Sequence, residues 1–195
     1  MPVANRKGIL LTIRRLVRER RAVSAVEFAL LLPIMLTLFL GGTEITQGIT
    51  IKRKTTIATR TIGDLVAQDT SITNAEMATI LAATSSVLAP FSAANLKMVI
   101  SSVAIDANNI ATVVWSDANN GATPRVVGSP VTLPTGLNAF PNTTLIWAEA
   151  DYTYTPTIGY TITGSLSLKD KVYLRPRLVA KVCRETGAAQ PLGCP

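Results

Sequence analysis

From Phe28 to Thr43 the chain runs sixteen residues without a charge; Glu44 then interrupts, and Ile45 to Ile51 continues without charge. As a helix, Phe28–Ile51 would extend about 36 Å, at about 1.5 Å per residue. A bilayer core is about 30 Å thick, so this segment is long enough to cross it with some tilt. One carboxylate stands at each end. Glu27 and Glu44 are separated by about 26 Å of helix, which lets each lie near an interface while the stretch between them sits in lipid. Pro33 lies inside this segment, and membrane helices accommodate proline because neighbouring groups re-satisfy the freed carbonyl. Gly41-Gly42 adds a second soft point.

Charge sharpens this reading. The chain has 195 residues and a net charge of +7, yet residues 1–21 alone carry seven Lys/Arg against Glu19. A basic arm followed by an apolar run is a topogenic pattern, whereas nucleic-acid binding calls for a basic body. The arm and the long C-terminal portion together predict a cytoplasmic N-terminus and an exported C-terminal region. A cleaved secretory signal would also explain the arm, but the apolar stretch is longer than the usual h-region and begins beside a carboxylate.

Past the span, Ile57, Ile62, Leu65 and Val66 keep a helical spacing, which predicts one long helix from about Val23 to Ala67, apolar first and amphipathic later. Thr73-Asn74-Ala75-Glu76 has the form of a capping box. It opens a second, short helix whose inner face is Met77, Ile80, Leu81 and Leu88, ended by Pro90. After Ala94 the texture becomes β. The predicted strands are Leu96–Ile105, Ile110–Ser116 and Thr144–Thr155, then Tyr160–Leu168, a turn at Lys169-Asp170-Lys171, and Val172–Leu174. Asp106-Ala107-Asn108-Asn109 reads as a hairpin, Asp117–Thr123 as a loop, and Arg175-Pro176-Arg177 as an edge or bulge. Tyr152, Tyr154 and Tyr160 read as cross-strand packing. The fold class is thus α+β: a long N-terminal helix, a second short helix and a C-terminal antiparallel sheet. The organisation is 1–22 basic arm, 23–51 transmembrane helix, 52–94 helical linker, 95–182 exported β domain, and 183–195 tail.

Catalytic chemistry is not written in this chain. Histidine is absent from the sequence. The acids fit no metal-ligand spacing, and no phosphate loop, nucleophile elbow or Ser-x-x-Lys occurs. No catalytic residue, metal site or cofactor is expected, and no nucleic-acid partner. The two cysteines, Cys183 and Cys194, fit no zinc pattern. In an exported domain they would form a disulfide closing a short loop.

Arg20-Arg21-Ala22-Val23-Ser24-Ala25-Val26-Glu27-Phe28-Ala29-Leu30-Leu31-Leu32-Pro33, followed by the apolar run and Gly41-Gly42-Thr43-Glu44, resembles the TadE/TadG-like pilus assembly family. The resemblance is specific over about residues 20–48 and the length is nearer the TadE type. Val114-Trp115-Ser116, Tyr154–Tyr160 and Leu174-Arg175-Pro176-Arg177 resemble proteobacterial members as well. The resemblance implies a non-enzymatic, pseudopilin-like (TadE-like) component of a bacterial tight-adherence, Flp-type pilus or secretion system serving adhesion, with a pilin-like fold. It would be a single-pass inner-membrane protein, its C-terminal domain periplasmic or extracellular. The implied partners are other pilus subunits, the inner-membrane assembly platform, membrane lipid and a prepilin peptidase. Cleavage between Ala22 and Val23 would make Glu27 the fifth mature residue, although processed members usually have Gly at the position of Ala22. Glu27, Phe28, Pro33 and Glu44 are the implied assembly residues. An unprocessed bitopic scaffold of the same machine, or a secreted β-rich adhesin with a signal peptide, are the rival readings.

Overall fold

The computed structural model describes residues 20–137, 140–157, 164–187 and 192. Contacts divide the chain into two units, Met1–Thr46 and Gln47–Pro195. Helix α1 covers Arg20–Gln68 and includes Pro33, so the apolar and amphipathic spacings read from the sequence are carried by one helix.

In the second unit, α1 is built to lie against a sheet. Ile51, Ala58, Ile62 and Val66 are buried on one face, together with Thr55 and Thr59, and Ala67 is buried in the last turn. The two threonines satisfy their hydroxyls within the helix: Thr55 donates to the Ile51 carbonyl at 2.9 Å and Thr59 to the Thr55 carbonyl at 2.8 Å. They can therefore be buried without an orphaned polar group. Small residues bring the backbone close. A side chain at Gly63 would come within 3.0 Å of Leu174 Cδ1 and 3.3 Å of Val172 Cγ1.

The helix is followed by β1 (Ser71–Thr73) and α2 (Asn74–Leu88). Thr73 caps α2 and the reciprocal Glu76 bond is present, so the capping box forms as the sequence predicts. The Glu76 carboxylate accepts from the Thr73 backbone and hydroxyl, which hold its pKa below the usual value. Asp69 nearby is shifted upward by burial and by the charge of Glu76. Met77, Ile80, Thr84 and Leu88 are the buried face of α2. The Lys54 ammonium donates to the carbonyls of Val87 and Ala89 at 3.1 and 2.7 Å, satisfying acceptors left open at the C-terminal end of α2.

The sheet comprises β2 (Leu96–Ile105), β3 (Ala111–Ala118), β4 (Pro130–Val131), β5 (Thr143–Tyr154) and β6 (Leu166–Leu174), in the order β4-β3-β2-β5-β6. The recorded pairs are antiparallel. Strand alternation divides its two faces. Leu96, Met98, Ile100, Trp115, Ile146, Ala148, Ala150, Tyr152 and Tyr154 join the buried residues of both helices in the main core. Tyr152 and Tyr154 are thus packing residues; Tyr160 lies outside the described residues. The opposite face carries a smaller cluster of Val103, Ile105, Ala111, Leu133, Leu145 and Trp147. There the Arg125 guanidinium sits 3.7 Å over the Trp147 ring and ion-pairs with Glu149.

Two sequence expectations are corrected. Lys169-Asp170-Lys171 is no turn: β6 runs straight through it, pairing Lys169 with Asp151 and Lys171 with Glu149. Three charges in a row suggest a solvated turn, but in an edge strand they alternate in facing and match opposite charges across the ladder. Asp117 likewise belongs to β3 and not to a loop, because it is anchored from the C-terminal segment. Residues 160–163 of the predicted Tyr160–Leu168 strand lie outside the described residues.

That C-terminal segment forms β7 (Cys183–Glu185), which pairs in parallel with β1. Arg184 is almost fully buried there. It grips the Asp117 carboxylate with two bonds of 2.8 and 3.0 Å, and donates to Asn74 Oδ1 at 2.8 Å and to the carbonyls of Ile72 and Glu185. The Trp115 indole N–H donates to the Val182 carbonyl at 2.9 Å. Cys183 is disulfide-bonded; the only other cysteine in the sequence, Cys194, lies outside the described residues.

Candidate functional site: the N-terminal half of helix α1

The first turns of α1 combine an unbroken helix former with apolar side chains and one acid. Val23, Val26, Phe28, Leu30, Leu31, Ile34, Met35, Leu36, Leu38 and Phe39 are all exposed, with Phe28 at 60 %. A contiguous apolar surface of this kind marks a membrane or protein contact. Within Val23–Gln68 the most apolar window has a mean hydropathy of 2.2 and none of it is buried in the chain. The helix is long and apolar enough to cross a membrane, and this supports anchoring of the chain by its N-terminal part.

Glu27 is exposed on this surface. Glu44 is half-buried and engaged in an interaction. Seventeen residues of helix rotate the second acid about 100° from the first, at about 100° per residue. The two carboxylates therefore face different sides of α1 and cannot serve one straight contact ridge. Pro33 is helical, and its carbonyl accepts from the Thr37 hydroxyl at 2.8 Å. Thr43 and Thr46 bond back to the carbonyls of Leu40 and Gly42 at 2.8 Å each. Such back-bonds hide hydroxyls within an apolar helix at little cost. A side chain at Gly41 or Gly42 would meet nothing within 4 Å, so these glycines leave a smooth, unfilled surface.

The peptide bond between Ala22 and Val23 lies inside α1, which begins at Arg20. The structure thus brings the bond, Glu27 and Phe28 onto the first three turns of a single helix. Pro33 follows one to two turns later, and Glu44 stands well beyond.

Elsewhere the charged groups read as structure. A groove on the outer sheet face is lined by Lys97, Glu149, Asp151, Lys169 and Lys171, whose charges alternate across neighbouring strands. Among the described residues no group of three His, Cys, Asp or Glu could hold a metal ion.

The sequence model for TadE-like protein matches residues 22–63, beginning at Ala22 and ending where α1 meets the sheet at Gly63. It spans 42 of the 195 residues and includes Glu27, Phe28, Pro33 and Glu44. No match was found among curated proteins or among solved structures.

Proposed function

We propose that this chain is a membrane-anchored, pseudopilin-like subunit of a tight-adherence pilus system, acting by assembly and not by catalysis. The observation that carries the reading is the coincidence of the TadE-like match at residues 22–63 with an exposed apolar helix bearing Glu27 near its start. A carboxylate on an apolar helix surface is unfavourable in lipid unless it is paired or reaches the interface. Cleavage after Ala22 would place a new α-amino group at the head of the same helix. Glu27 of one subunit would then pair with the amine of the next, and this pairing offsets a desolvation cost of several kcal/mol per ion. The arrangement favours side-by-side helices in one register.

The test is Glu27→Ala. Membrane insertion should persist, because a charge leaves the apolar segment. Crosslinks to pilus components and the number of assembled pili should fall, because the partner amine loses its counter-charge. Glu27→Asp should fall between the two, as it keeps the charge with a shorter reach. Normal crosslinks and normal pili in Glu27→Ala would reduce Glu27 to an interfacial residue.

A second reading, an unprocessed scaffold of the same machine, is favoured by two observations. Ala22 stands where processed relatives usually carry Gly, and the Ala22–Val23 bond is already helical. Ala22→Gly should preserve or increase processing under the first reading and change nothing under the second.

A further inference from the structure

In the second unit α1 is covered by the sheet on one side only. On the other side, beyond the predicted span, Ile57 is exposed at 54 %, and Arg53 and Arg60 are exposed with it. At about 100° per residue the three fall within an arc of about 60°, forming a narrow stripe with an apolar group between two basic ones. The neighbouring charges are committed elsewhere. Lys52 pairs with Asp170 at 3.5 Å, Lys54 holds the end of α2, and Asp64 pairs with Arg177. Arg53 and Arg60 have no carboxylate partner among the described residues.

We infer that this stripe docks an acidic, amphipathic helix of a different polypeptide, with carboxylates seven residues apart on either side of an apolar side chain. Charge selects this occupant. A second copy laid parallel and in register would set Arg53 against Arg53 and Arg60 against Arg60. An antiparallel copy centred between Thr56 and Ile57 would set Arg53 against Arg60. Like charges at such spacing are destabilising. The chain has no acid between Ile45 and Gly63 to relieve either arrangement. A partner with carboxylates at those positions gains both pairs, and Ile57 supplies an apolar anchor of the kind used in helix-to-helix recognition. The inference extends the assembly reading to a second surface, but it does not depend on Glu27 or on processing.

The test uses the full chain in detergent and two fluorescent, three-heptad synthetic helices with leucine along one seam. One carries Glu at the flanking positions and the other carries Lys. The Glu peptide should bind, and the Lys peptide should bind about tenfold more weakly, as expected when two exposed attractions become repulsions. Arg53→Glu combined with Arg60→Glu should reverse the preference. Arg53→Gln with Arg60→Gln should erase it, and this gives the answer if the charge-reversed chain fails to fold. Indifference to peptide charge, or binding unchanged by the double substitutions, overturns the proposal. So does a symmetric Ile57→Cys crosslink between two copies in membranes, which would make the occupant a second copy. Arginine-dependent binding to phosphatidylglycerol vesicles without peptide binding would make it a lipid surface. None of these measurements counts pili, so failure here leaves the assembly reading standing, and failure of the assembly reading leaves this result unchanged.

Discussion

Single side chains decide how the second unit holds together, and Arg184 is the clearest case. Its guanidinium fork joins β3, the start of α2 and β7, and its charge is nearly removed from water. Arg184→Met should cost about 3 kcal/mol, the scale for removing one partner of a buried ion pair. Arg184→Lys should recover little, since an ammonium cannot reproduce the two-pronged bond to Asp117. Chemical denaturation of the detergent-solubilised chain would measure both. Ser102 makes the opposite case: it is fully buried and its hydroxyl has no partner among the described residues. Ser102→Ala should therefore raise stability by about 1 kcal/mol. Glu76 sets a pH dependence. Its pKa is lowered by bonds from Thr73, so its contribution is full above the usual carboxylate pKa and is lost as pH falls through the lowered value. Asp69 is shifted the other way, so its ionisation opposes folding as pH rises. Glu76→Gln should narrow the stability gap to the parent chain as the solution is acidified from neutrality toward pH values below the normal carboxylate range; a gap independent of pH would contradict the charged cap. None of the Arg184 network was legible in the sequence. Its partners, at Ile72, Asn74 and Asp117, are dozens of residues away, and a lone Arg in Val-Cys-Arg-Glu carries no local signal.

The elements were legible where a local pattern was strong. The apolar and then amphipathic spacing announces α1, Thr73-Asn74-Ala75-Glu76 announces α2, and the alternation of β2 and β5 announces two central strands. Legibility ended where pairing is non-local. The three-residue strands β1 and β7 exist because they find each other in parallel across the fold, and neither has a pattern long enough to read. The charged middle of β6 misleads for the same reason, since its lysines are explained by carboxylates on β5. The contact between α1 and the sheet makes its own prediction. Gly63 lies against Val172, Leu174 and Ala148, leaving no room for a branched side chain. Gly63→Val should cost about 1–3 kcal/mol by overpacking, more than it gains in helix propensity, and thermal unfolding followed by circular dichroism would show it. An unchanged or raised midpoint would mean that α1 does not pack this closely.

At the scale of the whole molecule, the N-terminal half of α1 presents an exposed apolar surface with a single early acid, and the proposed assembly role rests on it. The candidate site was almost wholly legible in sequence, because a membrane span and its flanking charges are defined by composition along the chain, with little help from tertiary packing. What composition leaves open is whether the arm before Val23 is removed, the step that would create the amine for the proposed pairing of Glu27. A reporter fused after Pro195 should be active only in an exporting orientation, and cytoplasmic activity would contradict the topology. The most direct measurement is the N-terminal sequence of the protein that remains in membranes after carbonate extraction. The account predicts a membrane-retained chain that begins at Val23. A membrane-retained chain that still begins near Met1, or a soluble one, would contradict it.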